Sequence, residues 1–456
     1  MVHSVPSRRW PTRHVRRTSV AAAVFALGAL APSLLAQPSR ASSATSAPRA
    51  PNGFSAERLA RVDRFLQQSV DSNRIGGAVA LVMRDGQVAY QKSVGWIDRE
   101  SHRSMTADAM FRIASQSKAI TSTAILTLVE EGKIALGDPV SRFIPAYAHT
   151  IVASRTDSGR TVGPARRQIT IQDLLTHTAG ISYGGERWVA DQYAAKGLGP
   201  AAGNGWYTAD KTEPVCETME RLASLPFVAQ PGEAFVYGYN TDILGCVVER
   251  ASGVPLDEFI RTRITGPLGM TDTYFFVPPA KASRLVTLYM NDSTGHIARA
   301  PEGSRGQGHY VEGPRRSFSG GAGIVSTARD YARFLQMILN HGEIDGVRIL
   351  SPRSVDLMTS NQIGTIYGQN GRGFGLGFET VERIGGNGYY SVGSFGWGGA
   401  YGSSYMVDPA ERMVVVFMIN QMPNRSDVAA KFPTLVYQAL TDVAPRAGWP
   451  TKAASR

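Results

Sequence analysis

Strand-like segments stand at both ends of this chain and helix-like segments fill its middle, an order that only a few folds accommodate. Ala78–Met83 and Val88–Val94 read as strands, and the Asp85-Gly86 pair between them predicts a tight hairpin. Strand character returns at Phe374–Val381, Tyr401–Val407 and Met413–Asn420, with a turn at Asp408-Pro409. Between them, helical spacing predicts helices at 170–176, 215–224, 241–251, 256–263, 328–340 and 352–359. A further helix precedes the first strand, Ser55–Gln68, with Leu59, Val62, Phe65 and Leu66 on one face, and another closes the body, Val428–Asp442. The segment 151–168 is polar and reads as a loop, and the Gly- and Ala-rich 184–212 as irregular. The fold expected is α/β, of the α+β kind, with one sheet built from both chain ends and a mostly helical lobe inserted in its middle.

Charge and apolar content locate the chain. It has 456 residues and a formal charge of +11, a value that by itself suggests nucleic acid or a membrane surface. Seven arginines and no acidic residue or lysine lie within residues 1–53, however, leaving 41 basic and 37 acidic residues, a net +4, in the rest. The arginines precede an apolar run, Val20–Ala36, in the order of a secretory signal. Cleavage after Ala36 is expected, with a site near Ala44 as the alternative. Gly28 and Pro32 interrupt the run, which is short for a membrane span. Arg16-Arg17 is an incomplete twin-arginine signal, because Ser19-Val20 stands where larger apolar residues belong. Residues 37–53, rich in Ser, Ala and Pro, read as a flexible tether. No later segment is apolar for long enough to span a membrane, and the remaining basic residues are scattered without interleaved aromatics, which argues against nucleic-acid binding. Cys216 and Cys246 either pair or stay as packed thiols. The eight histidines form no metal-ligand spacing, so neither metal nor cofactor is expected.

Two serine motifs compete. Gly180-Ile181-Ser182-Tyr183-Gly184 has the G-x-S-x-G form, but a nucleophile elbow requires a strand before it and a helix after it. Here a helix precedes and glycines follow, so Ser182 reads as part of a loop closing a helix. Ser115-Gln116-Ser117-Lys118 has the S-x-x-K form and opens a helix, Ser115–Glu131, that is apolar around much of its circumference and stopped by Gly132. Positions i and i+3 share a helical face, so Lys118 projects beside the Ser115 hydroxyl. The helix start adds unpaired N–H groups and a positive dipole end, which makes the Ser115 N–H an oxyanion donor. A neutral Lys118 takes the serine proton, whereas a charged one stabilises a phenolate. An N-capping Ser115 with a surface Lys118 fits the spacing equally well, and the buried character of the helix favours the catalytic reading.

With these motifs on the page, the sequence resembles the β-lactamase-related serine hydrolases, a family that includes class C β-lactamases, DD-peptidases and family VIII carboxylesterases. Leu174-Leu175-Thr176-His177-Thr178-Ala179-Gly180, Pro267-Leu268-Gly269-Met270 and Gly320-Gly321-Ala322-Gly323 followed by Ser326-Thr327 resemble its signatures. The resemblance implies one hydrolase domain over 54–443, with an antiparallel α/β lobe from 54–110 and 320–443 and a helical lobe from 111–319. It places Ser182 in a structural segment and His177 in a structural role. It implies that Tyr237, in Tyr237-Gly238-Tyr239-Asn240 ahead of a helix, is the catalytic tyrosine, whereas Tyr289-Met290-Asn291 lacks the helix pattern that should follow. Tyr239 departs from the Asn usual in β-lactamases. A phenol is a weak base near neutrality unless a cation holds its anion, so Lys118 and Tyr237 would titrate as one unit. The family's Lys-Thr-Gly motif is replaced by Trp397-Gly398-Gly399-Ala400, and the Ala400 N–H would be the second oxyanion donor. Tyr239, Trp397, Gly398 and Gly399 are the expected substrate contacts. Trp397 cannot hold a carboxylate as lysine would; it offers an apolar wall and one N–H donor, as in the esterase branch. Arg315 or Arg316 stands as an alternative source of the lost charge.

The expectation is therefore an exported, periplasmic or secreted, serine hydrolase working through an acyl-serine on a small-molecule ester, lactone or amide. A class C-like β-lactamase or a DD-peptidase/D-aminopeptidase activity is the enzyme alternative, and a non-catalytic wall- or ligand-binding protein of the same fold the other. Oligomeric state is left open.

Overall fold

The computed structural model describes residues 49–50, 53–157, 159–199, 208–292 and 296–442. The expected signal segment and most of the tether lie outside the described residues. Within the expected tether, Arg49–Ala50 pairs antiparallel with Phe54–Ser55.

One antiparallel sheet of eight strands organises the body. In chain order its strands are β1 (Gly77–Arg84), β2 (Gln87–Asp98), β3 (Arg103–Ser104), β4 (Arg372–Phe374), β5 (Glu379–Val381), β6 (Phe395–Gly398), β7 (Ser404–Asp408) and β8 (Met413–Met418). Their spatial order is β4-β5-β6-β7-β8-β1-β2-β3, so the two chain ends meet where β8 pairs with β1. The β1–β2 turn has positive φ at both Asp85 (54°) and Gly86 (74°), the geometry a two-residue hairpin needs to follow strand twist.

Strand alternation sorts the core into two layers. Val79 and Leu81 of β1 and Val414 and Val416 of β8 join the larger core. Ala78, Ala80 and Val82 of β1 and Val415 and Phe417 of β8 face the other way, joining the smaller one. The smaller layer is closed by α1 (Ala56–Asp71) through Leu59, Val62 and Leu66 and by α5 (Val428–Tyr437) through Val428, Phe432 and Val436. The larger layer holds α2 (Ser117–Glu130), α3 (Asn240–Ser252) and α4 (Ala328–Leu339). Every residue of α2 from Ser117 to Leu128 is buried, so this helix passes through the interior.

Several sequence expectations are corrected. Phe374–Val381 is two short strands, β4 and β5, paired with each other; Gly375–Phe378 makes the turn, closed by Gly375 N–H donating to Phe378 O at 2.8 Å. β6 is not legible from alternation, since Gly396 and Gly398 dilute its strand character, and it stands between β5 and β7 inside the sheet rather than at an edge. β7 starts at Ser404 rather than Tyr401 because Gly399–Gly402 is a turn. The polar 151–168 contains a hairpin, Ile151–Thr156 with Gly159–Pro164, largely solvent-facing and so without an apolar alternation to reveal it. Ala190–Ala195 is helical within the stretch expected to be irregular. The helix expected at 256–263 is Leu256–Ile260 followed by a π turn, Arg261–Thr265. Cys216 and Cys246 form a disulfide joining the helix Val215–Leu222 to α3. No helix among the described residues is long and apolar enough to cross a membrane.

Phe417 is 1% exposed and packs against Phe432. Phe417→Ala is expected to cost about 3–5 kcal/mol in urea unfolding; a loss under about 1 kcal/mol would contradict this layering.

Candidate active site

The segment that opens the buried helix α2 and strand β6 build the site between them. Ahead of α2, Ala114–Gln116 forms a 3₁₀ turn, and Ala114 has φ of 45°, a left-handed conformation rare for a residue with a side chain. This turn delivers Ser115 to the wall of a cleft of about 710 Å³. Lys118, one turn on and 2% exposed, extends its ammonium to the same place. Its Nζ donates to Gly321 O at 2.7 Å, Tyr183 OH at 3.2 Å and Ser115 Oγ at 3.3 Å. It also lies 4.8 Å from the centre of the Tyr237 ring, within cation–π range.

Tyr237 enters just before α3. Its hydroxyl accepts a hydrogen bond from Trp397 Nε1 at 3.0 Å, so the single N–H of Trp397 is engaged with the phenol. Trp397 and Gly398 end β6, and Gly399 and Ala400 follow in the turn; all four line the cleft. A Cβ on Gly399 would stand 2.4 Å from Ile113 O, so only glycine lets this turn approach the backbone that precedes Ser115. The structure thus brings together Ser115, Lys118, Tyr237, Trp397, Gly398, Gly399 and Ala400.

Tyr239 stands apart from the expected set. It is 2% exposed and is not among the residues lining the cleft; its hydroxyl accepts from Gly199 N–H at 3.1 Å and its ring supports Tyr183 edge-on at 4.8 Å. Burial, only partly offset by that hydrogen bond, pushes its phenol up to about 12. Arg315 sits over the ring of Phe276, outside the cleft, and Arg316 does not line it either. Ser182 Oγ donates to Glu186 at 2.6 Å and accepts from Gly184 N–H at 2.9 Å, which makes it a turn-forming residue. The Tyr289 hydroxyl bonds Arg99 N–H and Glu100, away from the site.

Tyr183 is the residue that sequence reasoning passed over. It lines the cleft and touches Lys118, and burial holds its phenol well above the ordinary range, reinforced by Tyr237 and Asp242. The available signal is its place three residues after the Leu174–Gly180 signature. His177 lies beneath the site, its ring 4.7 Å from that of Tyr237. Burial, with the Lys118 charge adding to it, holds the imidazole well below its usual value and therefore neutral. Asn240 Nδ2 faces the carbonyls of Ile181 and Val236 as well as His177 Nδ1 at 2.9 Å, so the amide is the donor and Nδ1 the acceptor.

The cleft wall is aromatic and small. No lysine or arginine occurs among the described residues lining it. Its carboxylate, Glu379, is engaged by Tyr367, by Arg372 at 3.0 Å and by Asn387 at 2.8 Å.

Residues 62–439 match the family described as Beta-lactamase. The chain belongs to the beta-lactamase family of serine hydrolases. Protein Rv1367c of Mycobacterium tuberculosis is 35% identical over 390 residues, 80% of this chain and 90% of the relative. Esterase EstB of Burkholderia gladioli is 32% identical over 395 residues, 82% of this chain and 94% of the esterase. Among solved structures, EstCE1, described as a hydrolase with promiscuous acyltransferase activity, superposes with a TM-score of 0.69 at 27% identity, covering 84% of this chain and 98% of that one. The family membership accounts for a sheet built from both chain ends and for the buried helix that opens beside the cleft.

Two outcomes are expected. Trp397→Phe removes a hydrogen bond of about 0.5–1.5 kcal/mol, and should slow fluorophosphonate labelling about 2- to 12-fold if the bond is realised at the transition state; an unchanged rate would mean that the indole N–H does not act on Tyr237. For His177 the folded value is depressed, so the unfolded chain binds the extra proton. Its stabilising difference is complete above about pH 6.5 and is lost as pH falls below it. Urea unfolding at pH 7 and pH 5 should show that loss, and His177→Gln should make it shallower; an identical pH slope in the variant would contradict a neutral His177.

Proposed function

We propose that the protein is an exported carboxylesterase that cleaves neutral esters or lactones of short acyl chains through an acyl-serine. The observation that carries this reading is the cleft wall: aromatic and small residues surround Ser115, and no cationic side chain among the described residues lines it. A substrate that carries a carboxylate, as β-lactams and peptidoglycan stems do, finds no lysine or arginine on that wall, the Lys118 Nζ behind Ser115 being directed to Gly321 O and Tyr183 OH, whereas a neutral ester needs only apolar walls and oxyanion donors.

In this reading Ser115 Oγ attacks the carbonyl carbon, and its proton passes to the Lys118–Tyr237 pair. The N–H groups of Ser115 and Ala400 hold the oxyanion. Collapse of the tetrahedral intermediate breaks the ester C–O bond, and the pair returns the proton to the departing alkoxide. Water then attacks the acyl-serine, its proton taken by the same pair; the acyl C–O bond to Ser115 breaks, the pair returns that proton to Ser115 Oγ, and the acid leaves. The esterase activity named for the relative EstB supports the substrate class. Export is supported by the arginine-led apolar segment at the amino terminus and fits a Cys216–Cys246 disulfide, which an oxidising compartment maintains.

Turnover of nitrophenyl butyrate and of a chromogenic cephalosporin, measured side by side, tests the reading. Ester turnover should dominate, and Ser115→Ala should abolish it. Rapid cephalosporin cleavage with negligible ester cleavage would establish a β-lactamase instead, and inactivity on both with no covalent labelling would leave a binding protein.

A further inference from the structure

Asp242 lies in the first turn of α3, five residues beyond Tyr237, and is buried. Its Oδ1 accepts hydrogen bonds from Ser319 Oγ and from Gly321 N–H, the latter at 3.2 Å. The carbonyl of that same Gly321 receives the shortest hydrogen bond of Lys118, at 2.7 Å. A carboxylate, one glycine and an ammonium thus form a line through the interior. Two further observations show that the line is built tightly. A Cβ on Gly321 would stand 2.5 Å from Asp242 Oδ2, so the turn closes on the carboxylate only with glycine there. From the opposite side, Thr121 of α2 donates to Gly320 O at 2.8 Å.

Lys118 needs such an arrangement. A buried ammonium without a counter-charge is strongly disfavoured. Tyr239, at the motif position where β-lactamases carry Asn, spends its hydroxyl on Gly199. The other titratable groups around Asp242 are Lys211 and the buried phenols of Tyr147, Tyr183 and Tyr239. Burial pushes the Asp242 carboxyl up, and Lys118 is the leading influence pulling it back down.

We propose that Asp242 is a positioning residue for Lys118: its buried carboxylate holds the Ser319–Gly321 turn that fixes the ammonium and supplies the negative charge the ammonium faces. The inference rests on the reading of Ser115 as nucleophile and says what holds in place the lysine beside it.

The test is the pH dependence of fluorophosphonate labelling in the full chain, which needs no knowledge of the natural substrate. Asp242→Asn keeps an acceptor for Ser319 and Gly321 and removes the charge. Losing that charge favours the neutral amine, so the inflection of the labelling rate against pH should move to lower pH by about one unit or more. Ser319→Ala, which removes one hydrogen bond to the carboxylate and not the carboxylate itself, should move the inflection less than Asp242→Asn does. Gly321→Ala, which forces the turn off the carboxylate without altering α3, should shift it in the same direction as Asp242→Asn and serves as the measurement if that variant does not fold. An Asp242→Asn profile that inflects with the wild type, or at higher pH, would overturn the inference and leave Asp242 a purely structural residue. A wild-type protein labelled normally at Ser115 but with an unmoved Asp242→Asn profile refutes only this inference, whereas failure to label the wild type refutes the catalytic reading and the inference together.

Discussion

A lysine ammonium held inside the protein is the constraint around which the site is arranged. Lys118 is reached by almost no solvent, and its Nζ is met there by partners supplied by several segments: the Gly321 carbonyl, the Tyr183 and Ser115 hydroxyls and the face of the Tyr237 ring. Each partner comes from a different part of the chain. Meeting them requires α2 to run through the core, the 320–321 turn to press against α3 without side chains, and Tyr183 and Tyr237 to converge from the inserted segment. Burial of α2 from Ser117 to Leu128 anchors the arrangement through apolar area, and the polar groups at its start are then oriented by packing.

The second organising contact is between the turn that ends β6 and the backbone ahead of Ser115. Gly399 lets the turn after β6 touch Ile113 O, with Trp397 against Tyr237 and Ala400 on the wall of the same cleft as Ser115. The tryptophan thereby does two things with one side chain: its ring forms an apolar wall and its N–H orients the phenol. Wall chemistry and phenol placement are therefore coupled in one position on β6.

Much of this was legible in the sequence, for identifiable reasons. β1 and β8 have residues buried on both faces, so they appear as uninterrupted apolar runs, and Asp85-Gly86 announces its own turn. The Ser115–Lys118 contact follows from helical spacing. What escaped has physical causes too. β6 is half glycine, so its strand character is carried by neighbours rather than by propensity. The glycines at 375 and 377 break what looked like one strand into a hairpin. Tyr239 sits within a motif yet turns its ring into the core, because the side chains of consecutive motif residues point in different directions. Tyr183 and Asp242 join the site from segments distant in sequence from Ser115, and a motif read along the chain does not show which side chains meet across it.

The central claim is that Ser115, activated beside the buried Lys118, is the nucleophile of this hydrolase. A fluorophosphonate probe followed by peptide mass spectrometry tests it most directly. The account predicts a single adduct on the peptide containing Ser115, lost in Ser115→Ala and retained in Ser182→Ala. An adduct that persists in Ser115→Ala, or maps to Ser182, would contradict it.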